Sequence, residues 1–332
     1  MLTSVRITSN QGGIDMTNVE VLLLGGSMPS SVAISFDILA TANRLREAAG
    51  RPPPFAAFAT GPGARALRSF SAPVGVKQGE ADVLVVPGAG FASETEVADG
   101  LRGSEAAAAR RRIGAAAASG CDIAASCSST FLLASAGLLD GRRATTTWWL
   151  APAFRRMFPA VHLEADAVVV ADGGYTTAGA AMAHINLMLA LVARCASPSL
   201  ADLCARYMLL DRRGSQAPYM SLAMLCTGDE KVAKVEAWAR ERLADGIGVG
   251  ELGAAAGLEP RTFARRVKRA TGLTPVAFLQ RLRVERATDL LETTRLPFEE
   301  IAHRVGYSEP STLRRLLRQQ KGVAPREVRA AR

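Results

Sequence analysis

The chemically most distinctive residue of this sequence is Cys127, which lies between two apolar runs. The run before it, CDIAAS (121–126), is typical of a short buried strand, and the run after it, FLLASAGLL (131–139), is typical of a helix. A cysteine at a strand-to-helix turn stands above the sheet, where helix N–H groups lower a thiol pKa and can hold an oxyanion. The alternative is a small buried residue that fills a tight turn, and the residues alone favour this alternative.

A second chemical pattern is an arginine-bearing motif that occurs twice near the C-terminal end. The copies span residues 251–275 and 300–325, and matching positions are 49 apart before one extra residue, Glu309, and 50 apart after it. In each copy a short helix ends at a glycine, and a second helix with a basic outer face begins at a proline. This arrangement predicts two helix-turn-helix motifs. The inner apolar positions are expected to be Leu252 and Ala255, Phe263 and Val267, Ile301 and Val305, and Leu313 and Leu317.

The positive charge of the chain is concentrated around the repeat. Residues 230–332 carry 21 Lys and Arg against 13 Asp and Glu, whereas the other 229 residues carry 19 against 18. A basic field on a helix-turn-helix segment is what neutralisation of DNA phosphates requires. The alternative, a basic face that is merely solvated, is disfavoured by the helix-turn-helix pattern.

The cysteines and histidines do not indicate a metal or cofactor site. The five cysteines show no paired C-x-x-C spacing, and the sequence has only three histidines. We therefore predict no metal, no cofactor and a reduced, cytoplasmic setting. An uncharged run at 173–193 begins with glycines and contains His184, so we interpret it as a strand, a loop and a buried helix rather than as a membrane span.

The N-terminal part alternates apolar strands with helices, which predicts an α/β domain with a mainly parallel sheet. In such a sheet, ligands bind beyond the carboxyl ends of the strands. Three loops should therefore surround one pocket, namely 25–31, 88–91 and 127–129. The predicted strands are 19–26, 55–60, 81–90, 121–126 and a hairpin at 168–177, and the predicted helices are 36–48, 105–118 and 181–194.

The C-terminal part resembles the AraC/XylS family of transcription regulators over about 100 residues. The resemblance is carried by EPRTFARRV (259–267), ATGLTP (270–275), LQRLRVERATDLLE (279–292), IAHRVGYSEPSTLRR (301–315) and KGVAPREVR (321–329). It implies a DNA-binding domain at 229–332, with motifs at about 249–269 and 298–320 joined by a long helix. One departure is that Leu313 and Leu317 stand where the family usually has phenylalanines, and both remain apolar.

The same resemblance implies which residues contact double-stranded DNA. The groove contacts are Arg261, Thr262, Ala264 and Arg265 in the first copy and Ser311, Thr312, Arg314 and Arg315 in the second, and the phosphate contacts are Arg269 and Arg318. Ala264 in the first copy corresponds to Arg314 in the second, and Arg266 corresponds to Leu316. Because the two surfaces differ, we expect the two copies to read different bases.

The N-terminal part is similar to class I glutamine-amidotransferase-like domains of the PfpI-peptidase kind, as fused to AraC-type readers in GlxA-type regulators. The similarity covers roughly residues 18–195 and implies a flavodoxin-like fold. It is carried by VLVVPGAG (83–90), the turn at Cys127, FLLASAGLLDGRRATT (131–146) and TAGAAMAH (177–184). The prolines and glycines of residues 196–228 predict a linker that is partly helical and partly extended.

This chain departs from the active members of that family at two positions. Their cysteine works with a histidine just after the A-T-T run and often with an early glutamate, but here Thr147 and Ser31 stand at these positions. A thiol without a base or carboxylate lacks its usual activation. The resemblance therefore implies a vestigial Cys127 in a sensor pocket and no enzyme activity. The expected ligand-binding residues are Ser31, Gly88, Ala89, Cys127, Ser128, Thr147 and Trp148.

The function predicted from these observations is that of a ligand-responsive transcription regulator that acts as a homodimer, with RNA polymerase as a further candidate partner. The resemblance suggests an amino acid or a quaternary amine as effector, and the face of a tryptophan ring can bind such a cation. One alternative is a Cys127-dependent hydrolase, amidase or glyoxalase-like enzyme that also binds DNA. Another is a nucleoid-type DNA binder with a purely structural N-terminal domain.

Overall fold

The computed structural model describes residues 16–64, 81–211, 213–322 and 324–330. The chain divides into two compact units, with the division between Gly214 and Ser215. Each unit has its own hydrophobic cores, two in the first and two in the second. Among the described residues, no helix is both long enough and apolar enough to cross a membrane.

The first unit is built on a sheet of six strands, and two further strands form a separate pair. In chain order the strands are β1 (Thr17–Leu22), β2 (Phe55–Thr60), β3 (Val83–Val86), β4 (Asp122–Ser126), β5 (Arg143–Ala144), β6 (His162–Leu163), β7 (Val169–Asp172) and β8 (Tyr175–Ala178). The sheet has the order β2-β1-β3-β4-β8-β7, and β5 and β6 form a separate parallel pair. All neighbours in the large sheet are parallel except β7 and β8.

Helices cover both faces of this sheet, which explains why its strand β3 is apolar throughout. The helices are α1 (Pro29–Ala48), α2 (Glu94–Arg102), α3 (Ser104–Ala118), α4 (Thr130–Ser135), α5 (Ala151–Met157), α6 (Ala183–Cys195) and α7 (Pro198–Tyr207). In β3, Val83 and Val85 pack against α1, α6 and α7, while Leu84 and Val86 pack against the helices α2 to α5. The predicted flavodoxin-like α/β fold with a parallel sheet is confirmed.

The predicted elements of this unit are present, but the helices α2 and α5 and the short strands β5 and β6 were not predicted. The hairpin turns at Gly173 and Gly174, whose φ angles of 56° and 86° suit a primed two-residue turn. The missed helix α2 has a cap signal at its start: the Ser93 hydroxyl accepts from Glu96 N at 3.2 Å, and Ala92 N donates to the Glu96 carboxylate at 2.9 Å.

The second unit is all α-helical. Its helices are α8 (Leu222–Cys226), α9 (Glu230–Glu241), α10 (Val249–Ala255), α11 (Pro260–Thr271), α12 (Pro275–Thr293), α13 (Phe298–Arg304), α14 (Pro310–Lys321) and α15 (Pro325–Ala330). The pairs α10–α11 and α13–α14 are the two predicted helix-turn-helix motifs, and the turns contain Gly257 and Gly306 with φ angles of 59° and 83°. Helix α12 joins the motifs, because Phe278 packs in the first core and Leu291 packs in the second.

One predicted inner position of the first motif is wrong. Leu252 is buried, but Ala255 is exposed, and Gly253 is the second buried residue of α10. In α13 the buried residues Ile301 and Ala302 occupy the corresponding positions. The periodicity of a seven-residue helix is too short to fix its buried face when alanines and glycines fill most of it.

The segment 196–228, expected as a partly helical linker, contributes helices to both units. Helix α7 packs Leu200 and Cys204 into the core beside α1 and α6. Helix α8 packs Leu222 and Cys226 into the core of the first helix-turn-helix motif. The prolines and glycines of this segment indicate a connector. Its apolar residues at helical spacing nevertheless make part of it belong to each unit.

Candidate functional site

The three loops predicted to surround a pocket meet at the carboxyl edge of the sheet. A Cβ atom on Gly88 would lie 3.1 Å from the Cys127 Cβ atom, and a Cβ atom on Gly90 would lie 2.4 Å from the Gly26 carbonyl oxygen. The Met28 N–H donates to the Gly88 carbonyl at 2.8 Å, which brings the start of α1 to the same place. Gly88 and Gly90 thus allow loops from three strands to touch one another.

Cys127 occupies a strained strand-to-helix turn, here called the cysteine elbow (residues 126–130). Its φ angle is 56°, in the left-handed region that non-glycine residues rarely adopt. The Cys127 N–H donates to the Gly179 carbonyl at 2.9 Å, and its carbonyl accepts from the Thr146 hydroxyl at 2.8 Å. Two anchored backbone groups hold the turn in this conformation, which resembles the nucleophile elbow of hydrolases.

The environment of the Cys127 thiol keeps it protonated at neutral pH. The residue is 2% exposed, and burial raises the pKa of its thiol above the ordinary value. The Ser128 N–H and the neighbouring Thr147 hydroxyl oppose this rise only in part. The Thr147 contact does not reach the geometry of a standard hydrogen bond. Because the thiolate is the nucleophilic form, this thiol is poorly prepared for covalent chemistry.

His184 lies beneath the elbow, but both of its ring nitrogens are engaged by serine hydroxyls. Its Nε2 lies 2.7 Å from the Ser35 hydroxyl, and its Nδ1 lies 2.8 Å from the Ser126 hydroxyl. The Ser35 hydroxyl also donates to the Ser31 carbonyl at 2.9 Å. Full burial lowers the pKa of His184 to about 3, so the ring is neutral at physiological pH. His184 therefore positions the elbow and α1, and it makes no hydrogen bond to the thiol.

The burial of neutral His184 predicts a specific pH dependence of stability. Its folded pKa of about 3 lies below the ordinary value of 6.5. The unfolded chain therefore binds the extra proton between these values, and stability is lost as pH falls below about 6.5, by at most about 1.4 kcal/mol per pH unit. We expect His184→Gln to reduce the slope of the unfolding free energy against pH between pH 6.5 and 5. The free energy is measured by urea titration, with hydrogen exchange of the α6 amides as the signal of unfolding. Equal slopes in both proteins would contradict this assignment.

The other residues predicted to bind a ligand surround the elbow and are buried. Ser31 and Thr147 have buried hydroxyls without a hydrogen-bond partner in the part of the chain that the structure describes. The Ser128 hydroxyl accepts from the Phe91 N–H at 3.2 Å. Trp148 packs edge-to-face against Trp149, with ring centroids 5.3 Å apart. The buried residues of the predicted set are Ser31, Gly88, Ala89, Cys127, Ser128, Thr147 and Trp148.

The second candidate site is the outer face of the helices α11 and α14, here called the recognition helices. Their apolar residues point inward, since Phe263 and Val267 are buried in α11 and Leu313 and Leu317 are buried in α14. The arginines predicted to contact DNA lie on the opposite, exposed side of these helices. The exposed members of the predicted set are Arg261, Arg265, Arg269, Ser311, Arg314, Arg315 and Arg318, and the half-buried members are Thr262, Ala264 and Thr312.

The arginines of the recognition helices differ in what they contact within the chain. In the described ranges, Arg261, Arg265, Arg315 and Arg318 form no ion pair with a carboxylate. The Arg314 guanidinium lies 5.0 Å from the centre of the Phe298 ring at the start of α13. A cation over an aromatic face is held by the ring quadrupole, so Arg314 is already oriented in the absence of DNA.

A buried carboxylate ties the first recognition helix to α9, and sequence reasoning missed it. Asp229 caps α9, because its Oδ1 accepts from Val232 N at 3.3 Å. The same oxygen accepts from Arg266 at 2.9 Å, and Oδ2 accepts from Arg269 at 3.2 Å. An aspartate just before an apolar-periodic run is a cap signal in the sequence, but the two arginine contacts span about 40 positions and leave no local signal.

These contacts correct one part of the predicted difference between the two motifs. Arg266 faces Asp229 within the unit, and its counterpart Leu316 is buried in the second core. Neither belongs to the outer face, so this pair does not distinguish two DNA-reading surfaces. The difference between half-buried Ala264 and exposed Arg314 remains on the outer face.

Comparison with known proteins assigns a family to each of these two regions. Residues 252–331 match the helix-turn-helix domain family, and residues 68–194 match the DJ-1/PfpI family. The chain therefore combines a DJ-1/PfpI family domain with an AraC-type helix-turn-helix domain. Both resemblances inferred from the sequence are confirmed at the level of these domains, and the GlxA type is consistent with them.

Each of the relatives named below matches only part of this chain. The HTH-type transcriptional activator RhaS of Escherichia coli is 33% identical over 96 residues, which are 29% of this chain and 34% of that protein. The chain thus spans about a third of the length of the curated relatives it matches. The solved DNA-binding domain of AdpA, in complex with a target DNA, is 41% identical, with a TM-score of 0.29, and the match covers 30% of this chain and 89% of that one.

The solved structures similar to the first unit are more distant in sequence. An AraC family transcriptional regulator from Pseudomonas putida is 22% identical, with a TM-score of 0.43, and the match covers 58% of this chain and 99% of that one. Drosophila melanogaster DJ-1beta is 18% identical, with a TM-score of 0.41, and the match covers 59% of this chain and all of that one.

Proposed function

We propose that this protein is a transcription regulator that binds double-stranded DNA through its C-terminal unit and a small effector through its N-terminal unit. The observation that carries the proposal is the pair of recognition helices, α11 and α14, which bury their apolar residues and expose all of their arginines except Arg266 in an AraC-type domain. The proposal includes a homodimer that acts in the cytoplasm and a contact with RNA polymerase at the promoter.

In this proposal each recognition helix enters one major groove, and the two grooves lie on one face of the duplex about 34 Å apart. Arg265 and Arg315 are exposed without an ion pair in the described part of the unit, so both are available to pair with guanine. Arg318 is exposed one turn further along α14 and suits a phosphate. Arg269 would have to share its guanidinium between phosphate and Asp229.

The effector site of the proposal is the cysteine elbow. The hydroxyls of Ser31 and Thr147 are buried without a partner in the described residues and can donate to a polar ligand. The residues predicted to line the site carry no charged side chain, so a zwitterionic or cationic effector would be held by hydrogen bonds and by the Trp148 ring. An amino acid or a quaternary amine fits this chemistry.

A thermal-shift screen of the full chain with amino acids and quaternary amines tests the effector site. An effector at 100 times its Kd should stabilise the protein by about 2.7 kcal/mol. Ser31→Ala and Thr147→Val should leave the melting temperature of the free protein unchanged or higher, because each removes an unsatisfied buried hydroxyl, yet both should reduce the shift. Thr146→Val is the contrasting control, since it removes the hydrogen bond from the Thr146 hydroxyl to the Cys127 carbonyl and should destabilise the free protein. An effector whose shift survives both Ser31→Ala and Thr147→Val binds elsewhere.

The alternative function is that of an enzyme that uses Cys127. The reactivity of the Cys127 thiol distinguishes such an enzyme from a regulator without enzyme activity. Because burial raises the pKa of this thiol and leaves 2% of the residue exposed, iodoacetamide at pH 7 should label Cys127 at least about tenfold more slowly than in the urea-unfolded chain. Labelling is read by mass spectrometry of the Cys127 peptide, and Cys127→Ser should bind DNA as well as the natural protein. Rapid labelling, together with turnover of amides or ketoaldehydes that Cys127→Ser abolishes, would establish the enzyme instead.

A further inference from the structure

We infer that Arg283 positions the two recognition helices relative to each other. It thereby determines the preferred spacing of the two sub-sites, the short DNA sequences that the two helices read. The inference rests on the proposed function and deepens it. Arg283 is half-buried on α12, outside the recognition helices. A residue there can affect the reading of bases only through the elements that it holds in place.

The two helix-turn-helix motifs have separate hydrophobic cores. Phe263 of α11 packs in one core, and Leu313 of α14 packs in the other. Helix α12 contributes to both cores, but the crossing angles of packed helices vary by about 15–20° for the same ridge pattern. Packing on α12 alone thus does not define the angle between the recognition helices, and a contact between the motifs is needed.

Arg283 contacts both motifs with one side chain. Its Nη2 atom donates to the Ile247 carbonyl at 2.8 Å, just before α10 of the first motif. On its other side the guanidinium carbon lies 4.8 Å from the centre of the Tyr307 ring, which directly follows the turn of the second motif. A planar guanidinium can donate at its edge and stack with its face. Because both contacts are directional, together they constrain an angle as well as a distance.

The backbones of the two motifs also meet beside Arg283. A Cβ atom on Gly306, in the turn of the second motif, would overlap the Leu243 carbonyl oxygen of the first motif and would lie 3.1 Å from Arg283 Nη2. At the corresponding Gly257 of the first motif, a Cβ atom would meet no described residue other than its chain neighbours within 4 Å. Both glycines have positive φ, but only Gly306 is also held against the other motif.

The polar atoms at this junction indicate a directional role rather than a stabilising one. Arg283 Nε and the Tyr307 hydroxyl are buried without a hydrogen-bond partner among the residues that the structure describes. Each unsatisfied buried group lowers stability. Methionine is apolar and fills irregular gaps, so Arg283→Met should leave stability nearly unchanged, because the lost hydrogen bond to Ile247 is offset by removal of the unsatisfied Nε.

Two recognition helices at a fixed angle should prefer one spacing of their sub-sites. One turn of DNA contains about 10–10.5 base pairs, so one inserted base pair rotates the second sub-site by about 35° around the duplex. This rotation exceeds the variation of about 15–20° that helix packing allows. With Arg283 in place the second helix does not follow the rotation. Without Arg283 it can follow a part of it, and the loss of affinity should be smaller.

The affinity of the full chain for operators of altered spacing tests the inference, starting from a site selected from random-sequence DNA. Inserting one base pair between the sub-sites should weaken binding of the natural protein at least about tenfold. In Arg283→Met this penalty should fall to about threefold or less, and Tyr307→Leu should have the same effect because it removes the ring. The two changes combined should lower the penalty no further, since they disrupt one junction.

Three control variants distinguish positioning from a loss of charge or of folding. Arg286→Met removes the same charge from an exposed position of α12 and should leave the spacing penalty unchanged. Tyr307→Phe keeps the ring and should also leave it unchanged. Arg283→Lys keeps a cation beside the ring and should restore a part of the penalty. A variant that is merely less folded would lose affinity for both spacings in equal proportion and would keep the natural ratio.

The outcomes separate this inference from the proposed function. A natural protein that selects a sequence but shows no spacing penalty would overturn the inference alone. A penalty that stays the same in Arg283→Met and in Tyr307→Leu would also overturn it, while DNA reading by two helices would stand. A natural protein that selects no common sequence would overturn the proposed function and the inference with it.

Discussion

The double variant Arg265→Ala, Arg315→Ala is expected to lose specific affinity for its operator by between about 30-fold and 10⁴-fold. Each arginine is exposed on the outer face of a recognition helix and forms no ion pair with a carboxylate in the described residues. A bidentate contact of arginine to guanine contributes about 1–3 kcal/mol of discrimination, and the two helices lie in separate grooves. The losses of the two single variants should therefore be nearly additive.

The matched control removes two arginines from elsewhere in the same unit. Arg286 on α12 and Arg295 after α12 are exposed and lie outside the recognition helices. Arg286→Ala, Arg295→Ala removes the same charge and should weaken binding much less, without a change of base preference. Binding to operator DNA and to mutated operators, titrated at several salt concentrations, distinguishes the two variants. An equal loss in both would mean that total charge, and not these helices, determines binding.

Asp229→Ala is expected to destabilise the C-terminal unit by about 2–3 kcal/mol. The Asp229 side chain is 2% exposed, caps α9 and binds two arginines of the first recognition helix. Its loss removes the cap and both ion pairs. Arg266 and Arg269 are 32% and 58% exposed, so water can solvate their freed charges, and the cost stays below that of a fully buried pair.

Hydrogen exchange of the full chain measures this effect in the region where it is expected. The amides of α9 and α11 should lose protection in Asp229→Ala, and those of α4 in the other unit should not. Asp229→Asn keeps an acceptor for the cap and should lose less. Asp245→Ala, which changes an exposed aspartate in the same unit, should stay within about 0.5 kcal/mol of the natural protein. Unchanged protection of α11 in Asp229→Ala would show that Asp229 does not hold the first recognition helix.

The two motifs of the DNA-binding unit could be predicted from the sequence because the same pattern of residues occurs in two copies. Glycine at each turn and proline at the start of each recognition helix have a local physical meaning, and the turns at Gly257 and Gly306 show the expected positive φ. The buried face of α10 could not be predicted, because Gly253 and Ala255 are both small and only the packed structure distinguishes them.

The candidate ligand site was predictable in outline and not in its polar contacts. Parallel strands place their following loops at one edge, so the meeting of Gly88 with Cys127 follows from strand order. The hydrogen bonds of His184 to Ser35 and Ser126 join residues up to 149 positions apart, and no local pattern encodes them. Similarly, composition cannot show that Leu200 packs in a core of the first unit and Leu222 in a core of the second. The boundary between the two units depends on this difference in packing.

If one chain reads DNA through two recognition helices, guanine-methylation interference on binding sites selected from random-sequence DNA should detect both helices. We expect two clusters of interfering guanines in the major groove for each chain, separated by one helical turn of about 10–10.5 base pairs. Arg265→Ala should remove interference in one cluster, and Arg315→Ala should remove it in the other. A single cluster, or selected DNA with no common sequence, would show that the chain does not read DNA through two helices.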